Sequence, residues 1–134
     1  MLYNSTRGES PIVPFSEVLL GGLAPDGGLY MPQTFPKFSI EEIESWSNLP
    51  FHQLASKILY TYVESEIDES IFLKLLEEAY SSFDEEDVVK LKEIEENHWV
   101  LELFHGPTLA FKDVAMQLWG ALLNHFAKEK GEKI

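Results

Sequence analysis

The chain has 134 residues, 45% hydrophobic and 25% charged, the profile of a folded globular domain rather than a disordered or fibrous one. Ten Lys and Arg against 23 Asp and Glu leave a formal charge of −13, which argues against nucleic acid or an anionic membrane as partner. Cysteine is absent, and this removes disulfides, thiolate-bound zinc, iron–sulfur clusters and thiol nucleophiles together. No apolar run approaches the roughly 20 residues that cross a bilayer, and the N-terminus has no basic-then-apolar leader, so a cytoplasmic protein is expected.

Glycine and proline punctuate the first 36 residues, with Gly21, Gly22, Pro25, Gly27, Gly28, Pro32 and Pro36. They predict a short helix around Phe15 to Leu20, a tight turn, and a short strand at Leu29 to Met31. The Ala24 to Leu29 turn is glycine-rich, yet it lacks both a strong preceding strand and the spacing of a phosphate-binding loop. Ser39-Ile40-Glu41-Glu42 reads as a capping box that starts a helix. Phe51, Leu54, Ala55, Ile58, Leu59 and Tyr62 then recur at helical spacing, as do Ile71, Phe72, Leu75, Leu76, Ala79, Tyr80 and Phe83, with Asp68 placed to cap the second run. Two apolar stripes of this kind predict a helical layer packed on them.

Between Glu64 and Glu96 stand 13 acids and three lysines, which supply −10 of the total charge. They are expected to decorate a solvated helix face. Asp84-Glu85-Glu86-Asp87 lacks the alternating ligands and central glycine of a calcium loop and reads as an acidic connector. His52, His98 and His125 are scattered without ligand spacing, so a zinc site is not supported.

The run Trp99 to Phe104 reads as a strand, stopped by His105-Gly106-Pro107. Its segment Val100 to Leu103 is expected to lie beside the strands of the first 32 residues. A long helix follows, with a stripe from Phe111 through Val114, Ala115, Leu118, Trp119, Leu122, Leu123, Phe126 and Ala127, and Gly131 as its C-terminal cap. That stripe is wider than the partners visible in the chain can cover. Only Glu132-Lys133-Ile134 stands after the cap, where a second parallel strand would normally follow, so the chain reads as part of a larger α/β fold.

The loop from strand to long helix is where open α/β sheets bind ligands. Lys112 is expected in the first helical turn, facing a concave surface lined by the His105 to Thr108 turn. The helix dipole there opposes an ammonium, which suits an amine that attacks carbonyls. On position alone, however, a solvated surface charge is the commoner meaning of such a lysine. Thr108 is placed to cap the helix, His105 to hydrogen-bond into the turn, and Asp113 to make a structural hydrogen bond.

Three blocks, Tyr3-Asn4-Ser5-Thr6-Arg7-Gly8, Gly22 through Tyr30, and Leu101 through Asp113, together resemble the N-terminal portion of threonine synthases. The likeness spans residues 1 to 134 and is loosest through the acidic helices. It implies a fold-type II pyridoxal-phosphate enzyme, α/β overall and α+β within this chain: a small sheet with a helical layer, ending in an incomplete βα unit. Residues 1–98 would be the N-terminal helical and small-sheet region, and 99–134 the start of the cofactor-binding domain. The implied reaction converts O-phospho-L-homoserine and water to L-threonine and phosphate. Lys112 matches the family's Schiff-base lysine. Phe111 would border the cofactor, Arg7 would stand near the substrate phosphate or equally pair with a neighbouring carboxylate, Thr108 would stand near the substrate, and Thr108 with His105 would shape the loop presenting Lys112. The family's serine/threonine-rich segment and glycine-rich phosphate cup have no counterpart in these residues, so the chain alone is expected to be inactive and to retain the cofactor poorly. The competing expectation is a non-catalytic acidic helical module whose partner covers the long helix.

Overall fold

The computed structural model describes residues 1–131. At the start of the chain, Tyr3 and Ser5 point inward while Leu2 stays exposed, the period-two pattern of a half-buried strand, β1 (Leu2–Ser5). It is the centre of a three-stranded antiparallel sheet with β2 (Val13–Pro14) on one side and β3 (Tyr30–Pro32) on the other. Tyr3 lies opposite both Val13 and Pro32, and Ser5 opposite Tyr30. The Tyr3 hydroxyl donates to the Tyr62 carbonyl at 2.9 Å, and burial beside Tyr62 and Glu66 pushes its pKa up to about 12. Between β2 and β3 runs the expected short helix, α1 (Phe15–Gly21).

The capping box forms as read. Ser39 N donates to Glu42 Oε2 at 2.7 Å, Glu42 N donates back to Ser39 Oγ at 3.1 Å, and α2 (Ile40–Ser45) begins there. The two apolar stripes become α3 (Phe51–Leu59), continued by a 3₁₀ turn at Tyr60–Tyr62, and α4 (Glu69–Tyr80). Asp68 occupies the N-cap position of α4, but its side chain makes no capping hydrogen bond.

The core is helical. Leu76 and Phe72 are the most deeply enclosed side chains, and Val63, Ile67 and Val88 surround them with Leu118, Leu122 and Phe126 of the last helix, α5 (Asp113–Glu129). Burying one such side chain stabilises the fold by about 1.5–3 kcal/mol, so α3, α4 and α5 are fastened mainly by this cluster. Gly131 follows α5 at φ +70°, with its N–H bonded to the Lys128 carbonyl at 3.1 Å, a left-handed C-terminal cap. Residues 132–134, which come after this cap, lie outside the described part.

Two expectations change. The strand of the last third, β5 (His98–Glu102), does not join the N-terminal sheet; it forms a separate hairpin with β4 (Lys90–Glu95), Leu91 opposite Leu101 and Lys90 opposite Glu102. Closing a hairpin over a few residues costs far less chain entropy than pairing across some seventy, and Asn97 at φ +59° supplies the left-handed turn residue. The acids from Glu93 onward therefore sit on a strand and its turn rather than on a helix face. The connector before the hairpin bends through Val88, buried yet at φ +62°, a costly conformation for a β-branched residue that its burial in the core offsets. The helical layer of residues 51–83 forms as expected, with α3 packed on α4 and α4 on α5.

Candidate functional site

The segment between β5 and α5 closes on itself through Asp113. Its carboxylate is buried and accepts from Thr108 N at 2.8 Å and from Thr108 Oγ1 at 2.8 and 2.9 Å, with a longer contact from Gln117 Nε2 at 3.4 Å. Burial pushes this carboxyl up, but the hydrogen bonds from Thr108 and Gln117 outweigh it and hold the pKa below the usual value, so the group is ionised at neutral pH. Thr108 therefore does not cap α5 as expected; its hydroxyl reaches the first helical residue's side chain instead. Gly106 packs directly against that side chain, and a Cβ there would come within 2.6 Å of Asp113 Oδ2. Leu109, at φ +61°, is pinned by its N–H to the Gly106 carbonyl at 3.0 Å.

His105 is hydrogen-bonded, but its ring partner is Glu102 at the end of β5 rather than a residue of the turn. Its Nε2 lies 2.9 Å from Glu102 Oε2, with both side chains mostly buried. The His105 carbonyl takes the Asp84 N–H at 3.0 Å, which ties the acidic connector to the loop.

Lys112 sits at the N-cap position of α5, one residue before the first turn in which it was expected. It is exposed, and with the exposed Phe111 it lines an open groove of about 870 Å³ walled by Phe15 and Leu19 of α1, Leu54 and Ile58 of α3, and Trp119 of α5. The concave surface beside Lys112 is thus built by the helical layer, not by the His105 to Thr108 turn. The groove is strongly apolar, and it is the uncovered half of the α5 stripe: Leu118, Leu122 and Phe126 are buried while Phe111, Met116 and Trp119 remain exposed.

Arg7 belongs to a second constellation, away from the groove lining. Its Nη1 donates to the Asp26 carbonyl at 2.9 Å, and its N–H to Ser5 Oγ at 3.2 Å. Ser5 Oγ donates to Asp26 Oδ1 at 2.7 Å, and Gly28 N and Glu9 N donate to the same carboxylate at 2.9 and 3.1 Å. The Ser5 hydroxyl chiefly, with these backbone donors, lowers the Asp26 pKa to about 2. The first two sequence blocks are therefore one structural joint. Gly28 is glycine because any Cβ would collide with Ser5 Oγ. Of the residues singled out in the sequence, the fold brings Lys112 and Phe111 together on the groove; Thr108 is hydrogen-bonded to Asp113, and neither it nor Arg7 lines the groove. The Ser5–Asp26 joint and the Glu102–His105 pair were not anticipated; the only advance signal was the Asp-Gly-Gly turn. Among the described residues no group of His, Asp and Glu is arranged to hold a metal ion, and no helix is long and apolar enough to cross a membrane.

Residues 2–80 match a family model described as threonine synthase N terminus. Over all 134 residues the chain is 51% identical to the threonine synthase of Pseudomonas aeruginosa, covering 29% of that protein. Its fold is similar to the PLP-bound threonine synthase of Brucella melitensis, with a TM-score of 0.96 at 44% identity, over 99% of this chain and 29% of that one. The yeast threonine synthase structure aligns with a TM-score of 0.90 at 38% identity, over 96% of this chain and 27% of that one. The chain spans less than a third of the length of these relatives. Since the family model takes in more than half of the described fold, including the Ser5–Asp26 joint and the α3–α4 layer, the chain belongs to the threonine synthase N-terminus family.

Proposed function

We propose that this chain supplies the lysine side of a threonine synthase site: Lys112 holds pyridoxal phosphate, and the complete protein converts O-phospho-L-homoserine and water to L-threonine and phosphate. The observation that carries the reading is an exposed lysine at the start of α5, in the block that resembles the family's lysine motif, on the rim of an apolar groove. A planar aromatic cofactor fits such a place. Phe111 offers it an apolar flank, and Lys112 offers a primary amine that reacts with an aldehyde. When bound, the cofactor supplies an electron sink for negative charge developing on the substrate carbon skeleton.

The chain's own residues have simpler tasks. Lys112 would hold the cofactor through Nζ, and the same amine would hold or move protons at the substrate's carbons. Phe111 and the α1 and α3 walls exclude water from one side. Arg7 is the chain's only arginine and a candidate for the substrate phosphate by bidentate pairing, for which its Asp26 carbonyl contact would have to open or be shared. The Thr108 hydroxyl hydrogen is directed at Asp113, so any approach of Thr108 to substrate uses its lone pairs or methyl group. The division into residues 1–98 and 99–134 belongs to this proposal, with the helical core crossing it through α5.

The test is borohydride reduction of the full-length protein incubated with pyridoxal phosphate, followed by peptide mapping. The expected label is on Lys112, and Lys112→Ala is expected to lose both the label and turnover of phosphohomoserine by several orders of magnitude. Residues 1–134 alone are expected to lose the cofactor on dialysis. Retention of label and turnover in Lys112→Ala would assign the chemistry to another lysine. A second reading, a non-catalytic acidic module whose partner seats on α5, has the open groove in its favour; it requires full-length protein with no label and no turnover.

A further inference from the structure

We propose that Asp113, braced by Thr108, is a positioning residue for Lys112. Resting on the reading of Lys112 given above, this assigns to the loop a task beyond connecting β5 to α5. Successive residues of a helix point about 100° apart, so a buried, fastened Asp113 turns Lys112 away from the loop interior and toward the groove. The fastening is dense for so short a segment. The Asp113 carboxylate takes the N–H and the hydroxyl of Thr108, the Asp113 N–H donates to the Ala110 carbonyl at 3.0 Å, and Leu109 N closes on the Gly106 carbonyl at 3.0 Å.

Two features mark the loop as held in shape rather than merely folded. Leu109 sits in the left-handed region, a conformation that persists only where its surroundings over-determine it. Gly106 leaves no room for even a methyl group against the Asp113 side chain. Thr108 is itself exposed and stands outside the core cluster, and the hydrogen bonds its hydroxyl donates go to Asp113. Its identifiable task is to hold Asp113. Because misplacement of a reacting group by about 1 Å can cost on the order of a hundredfold in rate, loss of the brace registers at Lys112 before it registers in stability.

The experiment compares Asp113→Asn, Thr108→Val and Thr108→Ser in the full-length protein loaded with pyridoxal phosphate. Measured are kcat and KM, the melting temperature, and the visible circular dichroism per bound cofactor, which reads how the lysine-held ring is oriented independently of turnover. Thr108→Val and Asp113→Asn are expected to lower kcat at least tenfold with KM within about threefold, and to reduce the ellipticity per cofactor by half or more. Thr108→Ser, which keeps the hydroxyl, is expected to restore both. Should Asp113→Asn fail to fold, the Thr108 pair decides the matter, since Val retains the backbone N–H contact and replaces the hydroxyl with a methyl group, while Ser keeps the hydroxyl. Ellipticity and kcat within twofold of the unaltered protein in folded Thr108→Val, with cofactor on Lys112, would overturn the role of Asp113 alone. Cofactor mapped to a different lysine in the unaltered protein would overturn the reading of Lys112 and this role with it.

Discussion

Asp26 shows how one side chain can join two stretches of sequence. The carboxylate receives Ser5 Oγ, Gly28 N and Glu9 N, while its own N–H donates to Ser10 Oγ at 3.2 Å. Its folded-state pKa of about 2 lies below the ordinary carboxylate value, with the Ser5 hydroxyl as the largest cause. The stabilisation is therefore fully present above the unfolded-state value near 4 and is lost as pH falls through 4 toward 2. Asp26→Asn is expected to flatten that part of the pH dependence, read as urea unfolding midpoints between pH 2 and 6. An unchanged slope would mean that other acids govern it.

Among the elements, α2 and the β4–β5 hairpin depend least on the core. No residue of α2 is buried, so the capping box is its principal support. Ser39→Ala is expected to cost about 1 kcal/mol locally, seen as faster amide exchange over residues 40–45 with the global unfolding midpoint nearly unchanged. The hairpin is exposed along most of both strands, with Leu91, Ile94, Trp99 and Leu101 all open to solvent. A lone two-stranded hairpin is marginal in water, and the Glu85–Lys90 ion pair at 2.9 Å and the Glu102–His105 contact pin its open end to the connector and the loop. The start of α2 was legible, because both halves of its capping box, Ser39 and Glu42, are written three residues apart. The pairing of β5 was not, because the Lys90 to Glu95 stretch is rich in charge, and a bulge between Glu93 and Glu95 breaks its alternation.

For the molecule as a whole, stability concentrates where α3, α4 and α5 meet, and the open apolar groove lies where they stop meeting. Leu76 is fully enclosed, and Leu76→Ala is expected to cost about 2–5 kcal/mol in thermal or urea unfolding, with the spread set by how far the neighbours collapse. Loss of less than about 1 kcal/mol would place the centre of the core elsewhere. On the other side of α5, Phe111, Met116 and Trp119 remain open beside Lys112, so one helix both anchors the core and presents the candidate site.

Period and punctuation, which act over one or two turns of chain, were enough to read α1, the capping box of α2, the stripes of α3, α4 and α5, and the strand-loop-helix order that brings Lys112 to a helix start. Nothing local says which strand edge another strand will choose, because every edge offers the same backbone donors and acceptors, and the choice rests on loop entropy and on what each face then buries. The same holds for Asp113 and Asp26. Each is an acid beside a turn in the sequence, and only chain closure brings Thr108 and Gly106 to the one and Ser5 and Gly28 to the other. The groove, too, depends on helices whose stripes are readable singly but whose angles of approach follow from packing, which is why α5 could be read as too wide for its partners while the walls that face its open half could not.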